Sequence, residues 1–189
     1  MTFVIELDMP VTLEQLEDAA RRRTRVELSE PVRARVRASR DVLEKFVQEE
    51  RVIYGVNTSM GGFVDHLVPV AQARRLQENL INAVATNVGA YLDDTTVRAI
   101  MLSRVVSLSR GNSAITPANL ERLVEVYNAG IVPCVPEKGS LGTSGDLGPL
   151  AAIARQVRRG GRARSASRWR FRRRVPARCG PSTGWCAAP

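Results

Sequence analysis

Cysteine and histidine are scarce in this chain of 189 residues, at three and one. Cys134, Cys179 and Cys186 form neither an even disulfide framework nor a zinc-ligand spacing. Any Ser-His-Asp triad would have to use His66, the single histidine, which falls outside every motif described below and reads as an ordinary loop residue. No apolar run reaches the roughly 18 residues that a membrane-crossing helix needs. The opening MTFVIELDMP carries acids early and no basic stretch, which is not the pattern of a secretory leader. With 44% hydrophobic and 25% charged residues and no internal repeat, the composition is that of a soluble globular domain. The expectation is a cytoplasmic chain with no membrane partner and no metal.

A second absence is local. All 19 acidic residues lie between Glu6 and Asp146, and no Asp, Glu or Lys follows. Eleven arginines fall between Arg155 and the end. The net charge of +9 therefore belongs to the last 35 residues, and the first 154 are slightly acidic. Residues 155–189 are mostly Arg, Gly, Ala, Pro and Ser, with no helical period and no strand alternation, so they have no face to bury. Arginines interleaved with Trp169, Phe171 and Trp185 could bind single-stranded nucleic acid or another anion. Alternatively, Arg, Gly, Ala and Pro all have GC-rich codons, and a frame slip in such DNA would produce this tail in place of the natural sequence. The change at Ala154–Arg155 is abrupt and favours the second reading, with nucleic acid an unfavoured partner. The division expected is 1–154 as an ordered domain and 155–189 as a disordered or frame-shifted tail.

The ordered part reads as mainly helical with a few short strands. Residues 2–6 and 24–28 suit strands. Thr12-x-x-Gln15 predicts a capping box opening a helix to about Arg22. Ser29 before Pro31 predicts the next start, with Val32, Val36, Val42, Leu43, Phe46 and Val47 on one face. The opposite face, with Arg33, Arg35, Arg37 and Arg40, reads as a solvated surface rather than a phosphate site. A glycine-rich loop, Tyr54-Gly-Val-Asn-Thr-Ser-Met-Gly-Gly-Phe63, disfavours regular structure. Helices are expected over Pro69 to about Asn87, Thr95 to Leu108 with Asp93 and Asp94 at its positive end, and Pro117 to Asn128 stopped by Gly130. Cys134, between two prolines, reads as buried packing. The apolar stretch Leu147 to Ala154 reads as the start of a helix that is not finished.

Residues 139–148, GSLGTSGDLG, lack the G-x-x-x-x-G-K of a phosphate loop and the strand and acid of a dinucleotide fingerprint. On pattern alone they are a turn before a helix. Read together, however, YGVNTSMGGF, RGNSAITPANL and NAGIVPCVPEKGSLGTSGDLGPLAAIA resemble the aromatic amino acid ammonia-lyase family, the histidase and phenylalanine ammonia-lyase group, over nearly all of residues 1–154. Within that family the likeness is nearest to bacterial phenylalanine ammonia-lyases.

The resemblance implies the N-terminal part of a mainly α, histidase-like fold, cut before the central helical bundle. It implies that Thr143-Ser144-Gly145 forms a methylidene-imidazolone (MIO), the family's self-made cofactor, without metal. The Gly145 amide nitrogen would attack the Thr143 carbonyl, an approach that the missing Cβ permits. Loss of water, including the Ser144 hydroxyl, would leave an exocyclic alkene. Most members have Ala where Thr143 stands; its carbonyl is the reacting group, so the ring chemistry is unaffected. The Thr form also occurs in some phenylalanine aminomutases. Removing a weakly acidic β-hydrogen while expelling ammonia is difficult, and an electrophile that bonds the amine makes a better leaving group. The family's base maps to Tyr54, and Gly61 would let the loop pass close to substrate. In L-Q-x-N-L-x-x-S-H, a pattern of histidases and tyrosine-using members, this chain has Leu76-Gln77-Glu78-Asn79-Leu80 but Ala83-Val84 in place of Ser-His. A buried phenol hydroxyl with no partner there would cost a few kcal/mol, about 1–3, so phenylalanine is the implied substrate and cinnamate with ammonia the implied products. A phenylalanine 2,3-aminomutase, or a non-catalytic chain with a nucleic-acid-binding tail, are the alternatives. Family members are homotetramers with active sites built from several subunits. The residues that would complete the site lie outside this sequence, so the 189-residue fragment is expected to be inactive alone.

Overall fold

A computed structural model describes residues 2–139 and 147–160. Strand β1 (Thr2–Ile5), helix α1 (Leu13–Arg21) and strand β2 (Arg25–Leu28) open the chain. The strands pair in parallel with Phe3 opposite Val26, and α1 supplies the crossover that parallel strands require. Thr12 fixes where α1 begins. Its hydroxyl accepts from the Gln15 amide at 3.2 Å, and the Gln15 side chain accepts from the Thr12 amide at 3.0 Å, the reciprocal box that the spacing predicts.

Helix α2 (Glu30–Gln48) follows. Ser29 stands at its N-cap, but its hydroxyl is buried without a partner. Pro31, whose φ is preset for a first turn, is the local signal for this start. The apolar face of α2 is buried only at its beginning, through Val32 and Val36, while Val42 is exposed. Leu43, Phe46 and Val47 are half-buried, and the Arg51 guanidinium lies 4.0 Å over the Phe46 ring. The basic face is a set of ties rather than a bare surface. Arg33 pairs with Glu121, Arg37 with Glu30 at 2.6 Å and Arg40 with Glu44 at 2.8 Å. Arg35 donates to the Arg110 carbonyl at 3.2 Å.

The core is built on α4 (Asp94–Ser109). Val97, Met101, Leu102 and Val105 pack with Val26 and Leu28 of β2, Val32 and Val36 of α2, and Leu120, Val124 and Tyr127 of α5 (Pro117–Asn128). Asp93 caps α4, its carboxylate accepting from the Thr96 amide at 3.0 Å and the Thr96 hydroxyl at 2.5 Å. Asn128, the last residue of α5, closes one side of β2: its side chain accepts from the Val26 amide and donates to the Val26 carbonyl, both at 2.8 Å.

Arg98 is 2% exposed. It donates to Ala20 O at 3.2 Å and Tyr127 O at 3.3 Å, carbonyls in the last turns of α1 and α5, where a cation is favoured. Its guanidinium also lies 4.1 Å over the Tyr127 ring. Burial raises the Tyr127 phenol above its ordinary range, and the Arg98 charge pulls the other way. Arg110 has a comparable tie, donating to Leu7 O at 2.8 Å and Met9 O at 3.4 Å.

The remaining elements are α3 (Val70–Val84), β3 (Val88–Tyr91), β4 (Pro136–Lys138) and α6 (Gly148–Gly160). β3 and β4 pair antiparallel. The helix expected to reach Asn87 therefore ends at Val84, because Val88–Tyr91 turns extended to meet β4. Cys134 is exposed rather than packed; its neighbours Pro133 and Val135 are the buried ones. α6 does not stop at Ala154 but runs on to Gly160. Among the described residues no helix is long and apolar enough to cross a membrane.

Candidate active site

Tyr54 lies in a run of turns that polar side chains fasten from within. Asn57 Oδ1 accepts from the Ile53 amide at 2.7 Å, and Asn57 Nδ2 donates to the Arg51 carbonyl at 2.8 Å. Thr58, fully buried, accepts from the Gly55 amide at 3.1 Å and donates to the Ser59 carbonyl at 2.8 Å. Such side-chain-to-backbone bonds are what Asn and Thr offer a turn. Further on, the Ser59 amide donates to His66 O at 2.9 Å and the Val68 amide to Asn57 O at 2.8 Å, so the loop folds back on itself.

The Tyr54 hydroxyl accepts from the Gly61 amide at 3.2 Å. Gly61 has φ +59°, and a Cβ placed on it would meet nothing within 4 Å. Its glycine is required by the left-handed turn that aims its N–H at the phenol, not by crowding. Tyr54 is otherwise 63% exposed.

Helix α3 relates this loop to the other expected site residues. Gln77 Nε2 donates to Gly55 O at 2.7 Å. Two turns on, about 10 Å along the helix, come Ala83, exposed, and Val84, half-buried. Past the helix end, Asn87 Nδ2 donates to Pro136 O at 3.1 Å. Its Oδ1 is buried with no hydrogen-bond partner and lies against Gly148, the first residue of α6, where a Cβ would overlap the Asn87 amide. At the other end of the pair, Arg158 of α6 meets Glu78 of α3 at 3.4 Å. The two helices are therefore antiparallel. One helix thus carries the tie to the Tyr54 loop, the two apolar positions Ala83 and Val84, and a junction with the helix that begins three residues after Gly145.

Thr143, Ser144 and Gly145 lie outside the described residues, as does Gly142. Of the expected site, the structure thus relates Tyr54 and Gly61 to Ala83 and Val84 through α3. Sequence reasoning missed Asn57, Thr58, Gln77 and Asn87. The Asn-Thr pair was legible as turn chemistry, whereas the bond from Gln77 to Gly55 spans 22 residues and left no local trace. Two shallow grooves, about 210 and 490 Å³, are lined by residues of β2, α2 and α5 around Arg33 and Glu121; neither includes Tyr54. Among the described residues no group of three or more His, Cys, Asp or Glu is placed to hold a metal.

Residues 11–178 match the model of a family described as aromatic amino acid lyase. A histidine ammonia-lyase of Streptococcus gordonii is 44% identical over 152 residues, 80% of this chain and 30% of that protein. A tyrosine ammonia-lyase of Cereibacter sphaeroides is 39% identical over 147 residues, 78% of this chain and 28% of that protein. Among solved structures, the phenylalanine aminomutase of Pantoea agglomerans superposes with a TM-score of 0.77 at 63% identity, covering 80% of this chain and 29% of its own. The chain spans less than a third of the length of each.

Proposed function

The chain belongs to the aromatic amino acid lyase family, and from that premise we propose that it supplies the base and the electrophile-forming triplet of an MIO-type enzyme acting on phenylalanine. The observation that carries this reading is the Tyr54 hydroxyl held by the Gly61 amide at 3.2 Å, on a loop tied to α3. Thr143, Ser144 and Gly145 offer the carbonyl, the departing hydroxyl and the attacking amide nitrogen that an MIO requires, and once formed that group would take up the substrate amine. Tyr54 would remove the β-hydrogen at its phenolic oxygen. The Gly61 N–H fixes where that oxygen stands, and the polar bonds of Asn57 and Thr58 fix the backbone on both sides of it. Proton transfer by a positioned side chain of this kind contributes about 10²–10⁴-fold.

Ala83 and Val84 support phenylalanine over tyrosine or histidine as substrate. Neither side chain can pair with a phenol or an imidazole, and a polar ring left unpaired in a closed site is disfavoured. Non-oxidative deamination to cinnamate and ammonia is the reaction favoured here. A second reading, isomerisation to β-phenylalanine, is supported by the 63% identity to the Pantoea agglomerans aminomutase and by Thr143 in the triplet. A homotetramer belongs to the same proposal: Tyr54, Leu67, Val88 and Tyr91 are exposed, and further chain or another subunit would cover them.

A hybrid in which residues 2–160 replace the matching segment of the Pantoea agglomerans enzyme tests the reading. It should convert phenylalanine in preference to tyrosine, and Tyr54→Phe should lower kcat by about 10²–10⁴-fold. Cinnamate as the dominant product supports the lyase and β-phenylalanine the mutase. Turnover that survives Ser144→Ala would overturn both.

A further inference from the structure

We propose that Gln77 is the positioning residue that sets where the Tyr54 phenol stands relative to α3 and the positions α3 carries; this rests on the reading of Tyr54 as the base. The bonds made by Asn57, Thr58 and Gly61 join residues of the loop to one another. They fix its shape, and a loop held only by its own bonds can shift as a unit. Gln77 acts differently. Its bond comes from a helix, reaches across 22 residues, and ends at 2.7 Å on the carbonyl of Gly55, the residue bonded directly to Tyr54. The amide is half-buried. Seven residues further along the same helix stands Val84, so Gln77 fixes the spacing between the phenol and the two apolar positions assigned to the substrate ring. Reacting groups misplaced by about 1 Å lose on the order of 10²-fold in rate, so a long-range tie at this place governs turnover rather than binding.

Gln77→Glu keeps the side chain's size and replaces the donor with an acceptor facing the Gly55 carbonyl. In the full 189-residue chain labelled with 3-fluorotyrosine, the Tyr54 fluorine resonance of this variant should shift or broaden, while that of Tyr127, buried in the core, should not move. In the hybrid enzyme described above, Gln77→Glu should lower kcat by about tenfold or more with KM within roughly twofold. An unmoved Tyr54 resonance, or a kcat equal to the parent's while Tyr54→Phe is inactive, overturns the role of Gln77 and leaves Tyr54 as the base. A rise in KM with kcat unchanged also overturns it. Full activity of Tyr54→Phe overturns the reading of Tyr54 itself, and this inference with it.

Discussion

Val97 and Val88 are nine residues apart in the chain, yet the first is 0% exposed and the second 64%. They stand for two regions held together by different physics. Around α4 and α5, apolar side chains are removed from water on every side, and the buried Arg98 finds two helix-end carbonyls and an aromatic ring. From Val52 to Tyr91, large apolar groups face outward, and no described side chain of α3 is fully buried. That second region, which carries the proposed base, is kept in shape by side-chain-to-backbone hydrogen bonds. Burial resists distortion in proportion to area, whereas each such bond contributes only about 1 kcal/mol net. The proposed site is therefore placed by a few specific bonds on a scaffold whose stability comes from elsewhere.

The largest expected break in this contrast comes from truncating one apolar side chain in each region. Met101→Ala should cost about 2–5 kcal/mol in chemical denaturation, and Val88→Ala less than about 0.5; similar losses at both would erase the distinction. A smaller effect, on the order of 1–3 kcal/mol, is expected from Gly148→Ala, whose new Cβ would overlap the Asn87 amide. Adding Asn87→Ala should recover most of that loss, since the obstructing group is then gone. No recovery in the double variant would show that the contact of Asn87 with the start of α6 is not the cause.

The smallest concerns the cap where the two regions meet. Thr96 holds the Asp93 carboxyl below its ordinary value of 3.8 through its hydroxyl and its amide. A depressed folded value stabilises the fold above the unfolded one, so the contribution is full above about pH 4. It fades as pH falls through the lower folded value. Thermal unfolding followed between pH 2 and 5 should therefore lose part of its pH slope in Asp93→Asn.

Much of the first region was legible in the sequence because its signals are local. Thr12 with Gln15, Asp93 before its helix, and Pro117 in a first turn each act within one turn, and each marks a helix start. The second region was read less well. The stop of α3 at Val84 depends on β3 meeting β4, some 45 residues away. The exposure of Val42 and Cys134 depends on which neighbours lie opposite, a matter no period in the sequence encodes. The backbone carbonyls that Arg98 and Arg110 reach lie 78 and 103 residues away in the chain, so no local pattern marks either contact.

For the proposed site, pattern alone gave a glycine-rich loop and a turn before a helix, and it was the family resemblance of those segments that implied a chemistry for the tyrosine, the Thr-Ser-Gly triplet and the two apolar residues in place of a polar pair. Bonding capacity is a property of the residue and survives in any conformation. Which groups then meet is set by tertiary structure. Gln77 reaching the residue after Tyr54, and Asn87 reaching the start of α6, follow from the packing of helices far apart in the chain, where the area buried elsewhere decides what comes within 3 Å.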